Sequence, residues 1–126
     1  MDKANYWLDL AKEDLDAAHV LLNSRKLLHF GFLCHLAVEK ALKAKIESVG
    51  AIAPKIHNLN KLAELGGLLD ILAEEQTDLL DVLNPLQIEV RYPAYKQQIE
   101  RILSPDQCRL LMRQTEELVT WIEQQL

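Results

Sequence analysis

The sequence predicts an all-α protein, an antiparallel helical bundle of about five helices with an up-and-down core, and three observations carry that reading. Apolar residues recur at intervals of three and four along most of the chain, the period of helices with one buried face. β-Branched residues are sparse, no alternating run exceeds a few residues, and no Asn-Gly or Asp-Gly dipeptide marks a hairpin. Four Gly and four Pro in 126 residues are too few for a turn-rich sandwich or barrel.

The first helix is expected over residues 4–22, where Ala4, Leu8, Ala11, Leu15, Ala18 and Leu22 line one side and acids with a Lys fill the other. The segment Asn23-Ser24-Arg25-Lys26 breaks the pattern and reads as a turn, because Asn and Ser favour local side-chain to backbone hydrogen bonds. The second helix, residues 28–49, is the most apolar stretch. Phe30, Leu33, Cys34, Ala37, Val38, Ala41, Leu42 and Val49 cover about half its circumference, so it should be central. Gly50 suits the left-handed conformation that ends a helix, Pro54 follows, and residues 51–56 connect. A short helix over 58–65, with Leu59, Leu62 and Ala63 inward, ends at Gly66-Gly67. Residues 68–83 read as more helix, with Leu72, Leu79, Leu80 and Leu83 inward and the acidic Glu74-Glu75 region as the place where a break could fall.

Asn84-Pro85 reads as an N-cap followed by a first-turn proline. Tyr92-Pro93 ends regular structure, since the residue before proline is pushed out of the helical region, and this leaves Arg91 at a helix end or in a loop. Ser104-Pro105-Asp106-Gln107 opens the last helix with an N-cap Ser, a first-turn Pro and a Gln that completes a capping box. Its stripe is Cys108, Leu111, Met112, Thr115, Leu118, Val119 and Ile122. Residues 1–126 are expected to form one domain with an irregular stretch between 50 and 104. At this length a core buries about two-thirds of the unfolded chain's surface and needs no disulfide or structural metal.

Fourteen Lys and Arg against nineteen Asp and Glu give a formal charge of −5, which argues against non-specific binding to DNA or to anionic lipid. Cys34 and Cys108 lie far apart with no CxxC pair and no His/Cys cluster, as expected of two buried thiols in a reducing compartment. The N-terminal stretch carries acids where a signal peptide needs a basic region, and no apolar run approaches the ~18 residues of a membrane span. A cytoplasmic protein without a membrane segment is expected.

A bundle needs Leu, Ala and surface charges in bulk, so the informative residues are those it does not need: His35, Glu39, Lys40, Lys43, His57, Arg91 and Tyr92. His35, Glu39 and Lys43 stand at i, i+4 and i+8, within about 80° of one another at the margin of the apolar stripe. Taken alone, the spacing predicts a helix-surface ion pair between Glu39 and Lys43. A histidine four residues before a carboxylate is also the layout that fixes an imidazole tautomer for a base or a ligand. His57 reads as a cap partner or a hydrogen-bonding histidine at the start of the short helix. Arg91 beside a rigid Tyr-Pro has two readings, a guanidinium that grips phosphate with Tyr92 stacking on a base, or a structural partner of an acid such as Glu89. There is no Gly-rich phosphate loop, no GxSxG, no HExxH and no calcium loop, and neither Cys has an obvious catalytic partner.

Taken together, Tyr6-Trp7 at the head of an Ala-rich helix, His35-Leu-Ala-Val-Glu39-Lys40-Ala-Leu-Lys43-Ala, His57-Asn-Leu59 and Arg91-Tyr92-Pro93 resemble, in order and spacing, the HEPN domain family. The resemblance covers nearly the whole chain. It implies a bundle of about five helices that commonly dimerises, with a cleft that recognises nucleotides or RNA. It also implies a minimal nucleotidyltransferase as partner in a toxin-antitoxin pair, with the HEPN protein typically the toxin. In the family that the chain resembles, the well-characterised toxic members are metal-independent ribonucleases with an Arg-x4-6-His motif. Here that motif is absent: after Arg25, His29 follows with three intervening residues and His35 with nine, and no His follows Arg91, Arg101, Arg109 or Arg113.

The expectation is therefore a homodimeric nucleotide- or RNA-binding HEPN protein with a nucleotidyltransferase partner, needing no cofactor and no metal. Arg91 would hold phosphate, with Tyr92, His57, His35, Glu39, Lys40 and Lys43 around it; His35, His57 and Arg91 are the candidate catalytic groups of a ribonuclease site rebuilt from separate helices. Whether it is an enzyme stays open. The alternative is a non-catalytic helical module that binds and regulates a partner enzyme, which the acidic charge favours because RNA-binding surfaces usually carry a basic stripe. A metal-dependent hydrolase at His35 and Glu39 is disfavoured, since a catalytic zinc site wants three ligands.

Overall fold

A computed structural model describes residues 2–87, 97, 99–101 and 103–126. These residues are all-α, with no strand among them: α1 (Lys3–Asn23), α2 (Leu27–Ser48), α3 (Leu59–Leu65), α4 (Glu74–Leu83) and α5 (Pro105–Gln124), with short 3-10 turns at Leu69–Ile71 and Asn84–Gln87.

α1 and α2 form an antiparallel hairpin along their length, and α5 packs on both. Ala4, Leu8, Ala11 and Ala18 bury the predicted face of α1, where the alanines let the helices approach closely, while Leu15 and Leu22 are partly buried. The turn is a Schellman motif: the Arg25 N–H donates to Leu22 O and the Lys26 N–H to Leu21 O, with Arg25 in the left-handed region at φ 58°. α2 is the central helix and buries residues on most of its circumference from Phe30 to Ile46. Gly31 faces Leu86 and Leu103, whose methyl carbons lie 3.2 Å from where a Cβ would stand, so the absence of a side chain there lets the 84–87 turn and the segment before α5 seat on α2. Gly50, at φ 89°, ends α2 as expected, but Val49 belongs to the cap rather than the core and is 59 % exposed.

Two expectations between residues 68 and 87 are corrected. The helix does not run on from Leu68; a 3-10 turn and an extended Leu72-Ala73 intervene, and α4 begins at Glu74. Glu74 and Glu75 therefore occupy a first turn, where their charges complement the positive end of the helix dipole, instead of interrupting a helix. Gln76 Oε1 accepts the Ala73 N–H at 2.8 Å and closes that N-terminus. Asn84 is not an N-cap for the residues after it. It is helical and ends α4, and its side chain serves α3 instead: Oδ1 accepts the Leu59 N–H at 2.9 Å, and Nδ2 donates to Asn60 Oδ1 at 2.6 Å. Propensity favours Asn as a local cap, but here the orphan donors of a neighbouring helix are nearer than its own.

α5 follows the sequence closely. Ser104 Oγ accepts the Gln107 N–H at 3.3 Å, Pro105 opens the first turn, and all seven residues of the predicted stripe are buried. Each Leu enclosed there contributes about 1.5–3 kcal/mol. Cys34 and Cys108 are free and buried, and burial pushes the Cys34 thiol up to about 12. A thiol held that far from its thiolate is a small apolar side chain rather than a nucleophile.

Candidate functional site

The chemistry of α2 lies on the side that meets α3 and the end of α4. His35, Glu39 and Lys43 do follow one another up a helix face, but that face is buried. His35 is fully enclosed, and Glu39 and Lys43 are 4 % and 6 % exposed. The surface ion pair that spacing alone predicts is thus replaced by an enclosed cluster, because the segment after Gly50 folds back over this side of α2.

Glu39 is its hub. Oε1 accepts from His35 Nε2 at 3.2 Å and from His57 Nδ1 at 2.9 Å, and Oε2 accepts from Lys43 Nζ at 3.1 Å. His57 comes from 18 residues away in sequence. From Glu39 to the end of α2 is about 14 Å of helix, and the extended connection after Gly50 runs back over that distance to place His57 one residue before the Asn58 cap of α3. Asn58 Oδ1 accepts the Lys61 N–H, which fixes the α3 N-terminus and the histidine preceding it.

The other His35 nitrogen, Nδ1, donates to Leu83 O at 3.0 Å. Both ring nitrogens therefore face acceptors, and each contact is complete only when that nitrogen carries its proton. Leu83 and Asn84 close α4, so one helix end both orients His35 and caps α3. This carbonyl and this cap are invisible to pattern reading, since nothing local in the sequence links residue 35 to residue 83.

Burial by itself would raise the Glu39 carboxyl; the hydrogen bonds from His35, His57 and Lys43 overcome it and hold the group near a pKa of about 2. The result is a carboxylate ionised at neutral pH that accepts hydrogen bonds from three basic side chains. Of the three, His57 faces solvent, with 59 % of its side chain exposed. Lys43 Nζ also lies 5.5 Å from the centroid of the Trp7 indole, which brings α1 to the cluster through a cation–π contact. At its open edge the cluster presents the exposed His57 ring, and one turn beyond Lys43 on the same helix Glu47 Oε2 is buried without a hydrogen-bond partner.

Of the residues singled out in the sequence, His35, Glu39, Lys43 and His57 come together. Lys40 does not: it points toward α1 and pairs with Asp14 at 2.8 Å. Arg91 and Tyr92 lie outside the described residues. Trp7 is the member that residue-by-residue reading misses, and its only signal is an aromatic pair on the first turns of an otherwise alanine-rich helix. Among the described residues, no three His, Cys, Asp or Glu side chains are grouped as ligands for a metal ion. A cavity of about 680 Å³ opens elsewhere, between α4 and α5, lined by Ile71, Leu79, Arg113 and Trp121 among others. No helix among the described residues is long and apolar enough to cross a membrane.

This helical arrangement agrees with what comparison finds. The HEPN domain profile matches residues 4–125. The chain belongs to the HEPN domain family. Among solved structures it is similar to TT1696 from Thermus thermophilus, with a TM-score of 0.82 and 22 % identity over 100 % of both chains, a likeness of fold. No curated protein sequence matches it.

Proposed function

We propose that this HEPN protein binds a nucleotide or RNA through phosphate, with the exposed His57 as the donor, Glu39 as the carboxylate that holds it in place and the buried Lys43 adding positive charge behind them. The observation that carries the reading is the hub itself: one buried carboxylate, brought down to about 2 by three basic partners, one of which is an exposed imidazole. Building such a network costs desolvation that an apolar packing would avoid, so its retention points to use rather than to stability. An incoming phosphate would meet the His57 ring at the open edge. Membership of the family supports a role connected with nucleotides or RNA.

Within that role the chain would work in the cytoplasm as a homodimer, as the HEPN half of a toxin-antitoxin pair with a minimal nucleotidyltransferase. Arg91 and Tyr92 join the phosphate site on the strength of the sequence. Metal-independent cleavage of RNA would require His57 to take the 2′-hydroxyl proton, because His35 is sealed from any substrate and acts only through Glu39. The 2′-oxygen would bond to phosphorus as the P–O5′ bond breaks, and His57 would return the proton to the leaving 5′-oxygen. A second reading, a non-catalytic module that regulates a partner enzyme, is favoured by exposed apolar side chains such as Ile52 and Ile71, at 82 % and 56 %.

Titration calorimetry with AMP and with a short single-stranded RNA, in the presence of EDTA, tests the phosphate site. His57→Ala should weaken both by about 10- to 100-fold, the value of a hydrogen bond to a charged group, while the melting temperature changes by only a few degrees. Unchanged binding by the variant removes His57 from the site, and absence of binding by the wild type leaves the partner-binding module as the better account.

A further inference from the structure

The trough between α4 and α5 shares no residue with the Glu39 cluster. α4 packs only lightly on α5, and the space of about 680 Å³ between them has an apolar floor of Leu79 and Leu118, with Ile71 and Trp121 lining it as well. Helical phase extends both walls: Leu110 stands in one row with Gln114 and Trp121 on α5, and Val82 in one row with Glu75 and Leu79 on α4. Ile71, Leu110 and Val82 are 56 %, 44 % and 45 % exposed, three large apolar side chains that the core leaves uncovered.

Charge selects what covers them. From Leu62 to Val90 the sequence has seven acids and no Lys or Arg. Asp70, Glu74, Glu75, Asp78 and Asp81 are exposed, and among the described residues none of them is in an ion pair. The helix dipole accounts for Glu74 and Glu75 in the first turn of α4 but not for Asp78, and it opposes Asp81 in the last turn. Arg113 is the only cation lining the trough among the described residues, and it reaches toward Glu117 Oε1 at 3.9 Å.

An apolar row beside unpaired acids fits an amphipathic helix with apolar side chains at i, i+3, i+4 and i+7 and with Lys or Arg flanking them. The row from Leu110 to Trp121 is about 16 Å long, three turns of such a helix. A second copy of this chain suits the trough less well. α4 and α5 together carry eight acids against two arginines, so pairing two of these faces sets like charge against like charge in either orientation.

We infer that the α4–α5 trough is the docking site for a basic amphipathic helix of a partner protein. Ile71, Val82, Leu110 and Trp121 take its apolar face, and Glu75 and Asp78 take its cations. The inference is independent of the phosphate site and gives the bundle a second face, one that recognises protein.

The probe is a synthetic peptide of about eighteen residues, with leucines at the i, i+3, i+4 and i+7 positions and lysines elsewhere, labelled for fluorescence anisotropy and titrated with the full chain. Saturable micromolar binding is expected, weakening as salt is raised. The same peptide with glutamates in place of the lysines should not bind, and one of the same composition in scrambled order should bind at least about tenfold more weakly. Ile71→Ser and Leu110→Ser should each weaken the lysine peptide by about five- to tenfold, and Glu75→Lys combined with Asp78→Lys by about tenfold or more. All are surface substitutions, so melting temperatures should change by only a few degrees. In a Trp7→Phe background the remaining indole, Trp121, should change its emission as the peptide fills the trough. Failure of the lysine peptide to bind, equal binding of the glutamate or scrambled peptide, or binding that survives these substitutions overturns the docking site. So does sedimentation in which the wild type is a dimer and Ile71→Ser a monomer, since the face is then the contact between two copies.

Discussion

Replacing Glu39 with alanine is expected to destabilise the protein by about 3–5 kcal/mol, the cost of removing one member of a buried charged network and leaving its partners uncompensated. Three groups lose their acceptor at once: His35, which has no access to water, Lys43, which has almost none, and His57. At this chain length the melting temperature should fall by roughly 10–20 °C in a thermal scan followed by circular dichroism. Lys40→Ala on the same helix provides the contrast. Its partner Asp14 lies at the partly exposed α1–α2 seam, and such a pair contributes about 1 kcal/mol or less. Equal losses from the two substitutions would mean that Glu39 is an ordinary surface acid.

The second large effect is acid destabilisation. Glu39 sits near 2 in the folded chain against an ordinary value of 4.5, so the unfolded chain takes up its proton first as the pH falls. The stabilisation is fully present above about 4.5 and is lost progressively as the pH drops from there to about 2. The difference between the two values corresponds to about 3 kcal/mol. Urea midpoints measured from pH 6 down to pH 2 should therefore decline more steeply for the wild type than for Glu39→Gln, which cannot titrate at that position. Parallel curves would show that the folded-state carboxyl is not held down by His35, His57 and Lys43.

The helices are largely legible in the sequence because their signals are local. The α5 stripe from Cys108 to Ile122 and its Ser-Pro start are written in consecutive residues, and so is the Ala-Leu face of α1. The misplaced features are those that depend on a neighbour. Asn84 reads as a cap for its own successors, yet it caps α3, and Glu74-Glu75 opens a helix because the 3-10 turn before it, not the acids, makes the break. The same division holds at the site. The i, i+4, i+8 spacing of His35, Glu39 and Lys43 can be read directly, whereas their burial depends on the returning 51–57 connection, and their link to His57 and to Leu83 O depends on tertiary contacts. Lys40 shares the helix and the charge but lies about 100° around it from Glu39, enough to send it to Asp14. Trp7 escapes because an aromatic near a helix start has no fixed meaning until its neighbour across the hairpin is known.

The most direct test of the phosphate site uses the four histidines as reporters, since each stands in a different place: His19 against Glu116 between α1 and α5, His29 exposed in the first turn of α2, His35 sealed at Leu83 and Glu39, and His57 at the open edge. Proton–nitrogen correlation spectra of the imidazole rings, recorded as AMP is added, should show the His57 ring moving in a saturable way. The His19 and His29 signals should stay in place, and so should those of His35, whose two nitrogens are already engaged within the fold. Saturable binding that moves His19 or His29 and leaves His57 unchanged would contradict the account and place the ligand elsewhere on the bundle.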